Sequence, residues 1–389
     1  MKNAPGAIVL GGDYRGLGIV RSLGRRRVPV RVVTDEHLLA SFSRYAERSL
    51  PWPATRPDNE VEPLLELAAR HRLERWALFP TGDETVALIA RHHAALRERF
   101  TLTTPPWEVV RWAHDKRLTH TLAARVGVEF PRTYHPASRE ELSACPCEFP
   151  AILKPATKEG FNPFTHAKAW PVRDRAELQA RYAEASALVD PRTIMVQELI
   201  PGGGEAQFSY AALCANGKPV ASLVARRTRQ YPVDFGRSST FVETVEQPEL
   251  EEPARALLAA LGITGLVEVE FKRDPRDQRY KLLDINPRVW GWHTLGRRVG
   301  CDFPYLLWQL IHEQAVPEIR GQAGVRWVRA STDVLAVARE LRRRRLTLAQ
   351  YIGSFRGPVE PAIFAWDDPL PSLLELPLLA YLALKRGAA

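Results

Sequence analysis

Residues 265–293, GLVEVEFKRDPRDQRYKLLDINPRVWGWH, constrain the fold more than any other stretch of the chain. Glu268, Glu270 and Lys272 alternate with Val267, Val269 and Phe271, a period of two that predicts a strand with one polar face. Further on, Leu283 and Ile285 are apolar, whereas Asp284, Asn286 and Arg288 share the opposite face. Asp-Pro-Arg-Asp between the halves is turn chemistry, so a hairpin with Glu270 opposite or near Asp284 is expected. Facing carboxylates repel unless a cation lies between them, and an all-oxygen set of Glu, Asp and Asn suits Mg²⁺ rather than zinc. An arginine just beyond suits an anion. The alternative is a hairpin with a solvated charged face. Against it, Asn286-Pro287-Arg288 is poor strand filler, and Trp290, Trp292 and His293 follow directly.

The stretch resembles the closing motif of the ATP-grasp superfamily, carried here by Glu270-Phe271 and by Asp284-Ile285-Asn286-Pro287-Arg288. The resemblance implies that Glu270, Asp284 and Asn286 hold Mg²⁺ (or Mn²⁺) against the phosphates of ATP, with Arg288 facing a reacting acyl phosphate. One departure is Asp284, where the family usually carries a glutamate. Earlier motifs agree in order. Lys116 follows His114-Asp115 at the opening of a helix, and Lys154 ends the short apolar strand 149–155, ahead of a polar loop at 156–166. Residues 194–207 form a strand that runs into Gly202-Gly203-Gly204. By resemblance, both lysines contact nucleotide phosphates, Gln197, Glu198, Leu199 and Ile200 receive the adenine at a hinge, and Glu205 binds the ribose. The loop 156–166 would cover the phosphates.

Between hinge and hairpin, Arg226, Arg227 and Arg229 stand in one predicted strand, with Arg227 and Arg229 on one face. Edge protection is one account of them. The other is a lining for triphosphate or an acidic substrate, with Arg227 as a second catalytic candidate, aided by the Gly236-Arg237-Ser238-Ser239-Thr240 loop.

The 389 residues suffice for two or three domains. A net charge of +9 fits an anionic substrate, a membrane surface or nucleic acid, but no basic stretch is interleaved with aromatics, so nucleic acid is not expected. The N-terminus reads as strand, glycine-rich turn, helix and strand, a βαβ start with Gly11, Gly12, Gly16, Gly18 and Asp35. Its spacing is not Gly-x-Gly-x-x-Gly, so a dinucleotide site is not expected. Thr81 or Asp83 stands ready to cap the helix after the strand 75–80. The four cysteines lack metal or redox spacing and read as isolated thiols of a cytoplasmic protein, with no signal peptide or membrane span. Residues 371–386 are leucine-rich and either pack on the body or touch a membrane surface.

The expected fold class is α/β with an α+β grasp module. A Rossmann-like domain spans 1–104, a two-part ATP-grasp module 105–318 with a mobile lid at about 131–195, and a small extension 319–389. The implied activity is an ADP-forming carboxylate-amine ligase acting through an acyl phosphate on a small-molecule carboxylate and amine, in the D-aspartate-ligase-like branch. A bicarbonate-phosphorylating carboxylase and a nucleotide-binding protein without turnover are the alternatives, and a homodimer is compatible with either.

Overall fold

The computed structural model describes residues 5–53, 59–157, 162–167, 169–233, 236 and 238–387. Its first sheet is parallel, with order β3-β2-β1-β4-β5, formed by β1 (Ala7–Leu10), β2 (Val30–Val33), β3 (Arg48–Leu50), β4 (Ala77–Pro80) and β5 (Thr101–Leu102). β1 and β4 are buried along their whole length, which is why they read as unbroken apolar runs. After β1 the chain turns through Gly11 at φ +122, and Asp13 caps the helix Tyr14–Gly24 by accepting from the backbone N–H groups of Arg15 and Gly16. Gly18 serves close packing: a Cβ there would lie 2.5 Å from Cε1 of His293, on the segment that follows the 265–286 hairpin.

The second sheet is antiparallel, with order β6-β9-β7-β8: β6 (Thr133–Tyr134), β7 (Ala151–Pro155), β8 (Trp170–Val172) and β9 (Ile194–Glu198). It closes its own core around Leu153, Phe164, Leu178 and Tyr182, the last two from the helix Arg175–Ser186.

The third sheet has eight strands. Its path runs β14-β13-β10-β11-β12-β16-β17, with β15 pairing β11. The strands are β10 (Gln207–Ala215), β11 (Lys218–Tyr231), β12 (Ser238–Thr244), β13 (Gly265–Arg273), β14 (Tyr280–Asn286), β15 (Ile319–Arg320), β16 (Arg326–Val328) and β17 (Val359–Pro361). Alternation along β10 divides the core. Ala211 and Leu213 join Val9, Leu17, Trp290 and Trp292 in one cluster, whereas Tyr210 and Ala212 join Val267, Val269 and the helix Glu251–Leu261 in another. Each fully buried Leu or Phe side chain contributes about 1.5–3 kcal/mol relative to an exposed one. The first cluster fastens the parallel sheet to the eight-stranded one, so the carboxyl ends of β1 and β4 meet the end of β14.

The C-terminal helices are Ala330–Arg342, Leu348–Gly353 and Leu370–Gly387. The first begins well before the arginine run that marks its end. It is held by Asp333, fully buried and paired with both Nε and Nη2 of Arg229 at 2.8 Å. Among the described residues, no helix is long and apolar enough to cross a membrane.

Candidate active site

The hairpin β13–β14 adopts the expected register, with Glu270 opposite Asp284 and Glu268 opposite Asn286. A register shift after Glu270 brings Leu283 to the same cavity as Asp284, where strict alternation would have turned it away. Asn286 Nδ2 donates to Glu270 Oε1 at 2.9 Å and to Glu268 Oε2 at 3.2 Å. Arg227 Nη2 stands 3.4 Å from Glu270 Oε2, and Lys116 Nζ 2.9 Å from Asp284 Oδ1.

Lys116 opens the helix Lys116–Arg125, whose cap Asp115 accepts from the N–H of Arg117. Its own N–H donates to the carbonyl of Ala156 at 2.9 Å, which ties it to the end of β7. There Lys154 Nζ donates to Gln197 Oε1 at 3.4 Å. His120, one turn along from Lys116, stacks on Phe130 with centroids 4.5 Å apart. Burial first, then Lys154 and Lys116, pulls its pKa down to about 3.

These groups line a cavity of about 470 Å³. Lys116, Lys154, Gln197, Glu198, Leu199, Ile200, Arg227, Glu270, Asp284, Asn286 and Arg288 all face it. Glu205 does not; its carboxylate accepts from the N–H of Gly203 at 3.0 Å, within its own glycine turn. Glu198 commits its carboxylate to the N–H of Arg132 and to Arg276, each at 2.9 Å, so the hinge presents backbone and apolar groups to a ligand. Lys272 donates to the carbonyls of Ile200 and Gly202 at 2.9 and 2.6 Å.

Arg227 and Arg229 do not share a face. Register shifts on both sides of Arg229 turn it toward Asp333, with its guanidinium 4.0 Å from the centroid of Phe241. Of the loop 156–166, residues 158–161 lie outside the described residues, as does Arg237; Thr157, Thr165, His166, Ser238 and Ser239 line the cavity.

Three contributors were not singled out as site residues in the sequence. Glu268 is buried and accepts from Ser209 Oγ at 3.0 Å and Trp292 Nε1 at 3.1 Å; burial, then Glu270 beside it, pushes its pKa up to about 7. It orients Asn286 from behind, and the Glu-x-Glu alternation was the available signal. Asp83 is not the cap of the helix Asp83–Arg91, a role taken by Gly82. Its two oxygens each accept from Arg288, through Nε and Nη2 at 2.9 Å. Burial opposes that charge, but Asp83 outweighs it and raises the Arg288 pKa further. Trp290 completes the set. Its Nε1 and Gln207 Oε1 are buried in the cavity wall without hydrogen-bond partners among the described residues. Each such group costs about 1–3 kcal/mol unless a ligand or water satisfies it.

Mg²⁺ fits this donor set. No three His, Cys, Asp or Glu side chains among the described residues form a metal cage. Two carboxylates and an amide oxygen on adjacent strands are instead what Mg²⁺ accepts when phosphates and water complete its shell.

The hinge strand, the paired lysines and the carboxylate hairpin at the edge of a mixed sheet are the features by which the chain is similar to ATP-grasp proteins. The family described as ATP-grasp in the biosynthetic pathway with Ter operon matches residues 190–331. The chain is similar to D-aspartate ligase of Enterococcus faecium, 21% identical over 72% of this chain and 70% of the ligase. It also resembles carbamoyl phosphate synthase large chains, of which it spans 27% of the length in Thermus thermophilus. The biotin carboxylase domain of Hydrogenobacter thermophilus 2-oxoglutarate carboxylase, solved with MgADP, ADP and bicarbonate, superposes with TM-score 0.65. It is 14% identical, with 82% of this chain and 73% of that one covered. L-amino acid ligase of Bacillus licheniformis gives 0.61 at 16% identity, over 79% and 74%.

Proposed function

We propose that the protein is an ADP-forming carboxylate-amine ligase, which joins a small-molecule acid to an amine through an acyl phosphate. The observation that carries this reading is the pairing of Glu270 with Asp284 across the hairpin, with Lys116 on one acid, Arg227 on the other and Arg288 at the strand end. Mg²⁺ held by Glu270, Asp284 and Asn286 would supply charge neutralisation on the transferred phosphoryl group. Lys116 and Lys154 then neutralise further phosphate charge, and the hinge from Gln197 to Ile200 seats the base. A substrate carboxylate oxygen attacks the γ-phosphorus and ADP leaves. Arg288 and Arg227 hold the resulting acyl phosphate, the amine nitrogen attacks its carbonyl carbon, and phosphate departs as the amine loses a proton. The chain's own contribution is positioning and electrostatic stabilisation.

The four unpaired thiols and the demand for ATP support a cytoplasmic setting. The four-stranded sheet from β6 to β9, with residues from about 131 to 195, is the lid in this account, closing over the nucleotide from the side of Lys154. Similarity to D-aspartate ligase supports an amine acceptor. A carboxylase acting on bicarbonate is the second reading, favoured by the biotin carboxylase neighbour.

The test is ADP release across a panel of amino acids and other acids, with hydroxylamine present to trap an acyl phosphate as hydroxamate. Hydroxamate formed without a second substrate supports the ligase. ADP release that requires bicarbonate alone would replace it with the carboxylase.

A further inference from the structure

The helix Leu370–Gly387 carries leucines on both of its faces, with one acid, Glu375, among the residues turned inward. Glu375 accepts from Ser331 Oγ at 2.6 Å and lies 3.6 Å from Arg329 Nε, while Leu378 and Leu382 pack against the body. The outer face carries Leu373, Leu376 and Leu384, which are 72%, 66% and 75% exposed, and Pro377 and Ala380 lie between them. Their spacing places them on one stripe about 16 Å long at 1.5 Å per residue. The neighbouring helix Ala330–Arg342 repeats the pattern. Val334, Leu335 and Ala338 are exposed, and Arg342 follows one turn on at the start of the exposed run Arg342 to Arg345.

Five of the six acids of this extension are held in ion pairs, Asp367 at the surface and the others turned inward, and Glu340 is half-buried. Asp333 meets Arg229, Glu360 meets Arg297 and Arg298, and Asp367 and Asp368 meet Arg25 and Arg21. The exposed residues of the helices Ala330–Arg342 and Leu370–Gly387 are apolar or basic apart from Tyr381. A soluble surface rarely exposes so many large aliphatic side chains together, and a second copy brought face to face would set one arginine run against another. An anionic bilayer satisfies both features, with leucines entering the headgroup boundary and arginines meeting lipid phosphate.

We propose that the outer face of this extension, from Val334 to Arg345 and from Leu373 to Leu384, is a peripheral docking surface for an anionic lipid membrane. It carries the candidate active site to the membrane without spanning it.

The probe is sedimentation of the full chain with phosphatidylcholine vesicles that contain or lack phosphatidylglycerol. Binding is expected to the anionic vesicles, to fall as salt rises, and to be lost in a Leu373→Ser/Leu376→Ser/Leu384→Ser variant and in an Arg342→Gln/Arg344→Gln/Arg345→Gln variant. Thermal melting shows whether each variant is folded, and hydrogen exchange across 370–387 gives a reading without substitution, since vesicles should protect it. No sedimentation at low salt, binding unchanged in both variants, or a solution dimer that the triple leucine variant dissolves would each overturn the proposal.

Discussion

Replacing Arg288 by lysine separates a catalytic role from a structural one. A guanidinium carries five N–H donors. Nε and Nη2 hold Asp83, Nη2 also approaches Asn286 Oδ1 at 3.4 Å, and Nη1 donates to the carbonyl of Val289 at 3.1 Å. That leaves one Nη1 hydrogen for the cavity, fixed in direction by the fork on Asp83. Lysine keeps the charge but is a point donor and cannot hold Asp83 through two bonds while reaching a second anion. If the remaining donor meets the acyl phosphate only as charge develops, Arg288→Lys should cost about 2.7–4 kcal/mol of transition-state stabilisation, or roughly 10²–10³ in kcat. KM for ATP should change little, because the proposed mechanism assigns nucleotide binding to the lysines and the hinge. The assay is coupled ADP release on protein whose melting curve shows it folded. A variant that loses thermal stability yet keeps the turnover of its folded fraction would refute the assignment and leave Arg288 a clasp between the parallel sheet and the hairpin.

Glu270→Gln and Asp284→Asn should each lower turnover by several orders of magnitude and weaken Mg-ATP binding with the fold intact, and calorimetric titration with Mg-ATP would expose wild-type affinity if the metal assignment is wrong. His120, buried and held neutral with its pKa near 3, takes up a proton at its ordinary value of 6.5 only on unfolding. Stability should therefore be complete above pH 6.5 and fall as pH drops from there toward 3; thermal melts of a His120→Asn variant should show a flatter profile over that window, and an unchanged profile would contradict the burial of its charge. Mg-ATP should slow hydrogen exchange in β7 and β8, because closure of the proposed lid over the nucleotide covers these strands. Equal exchange with and without nucleotide would remove the lid from the mechanism.

The hairpin was legible in the sequence because a period of two with a turn between its halves has one sensible pairing, and Glu270 indeed faces Asp284. Period alone could not reveal the register shifts. One brings Leu283 into the cavity, and two others send Arg229 to Asp333 when Arg227 reaches Glu270. Nor could it reveal partners far apart in the chain. Asp83 and Arg288 meet because a shared apolar core brings the end of β4 to the end of β14, a consequence of packing rather than of any local pattern. Lys116, Lys154 and the hinge were picked out by order along the chain, which survives large changes in loop length, and they line one cavity. Glu205 was placed by the same order, and the turn that follows the hinge keeps its carboxylate for itself.

Lys272 gives the molecule a mechanical constraint. Rooted in the strand of the acids, it grips the segment that leaves the hinge through the carbonyls of Ile200 and Gly202. In the proposed binding mode the floor under the phosphates and the ledge under the base are therefore one piece, and their spacing is set before any nucleotide arrives. Such a gauge admits ligands by length: a molecule must span from ledge to floor to touch both, and one too short forfeits an end. Selection for a nucleoside triphosphate over a bare phosphate donor would then be a property of the scaffold, present without movement of the jaw above it.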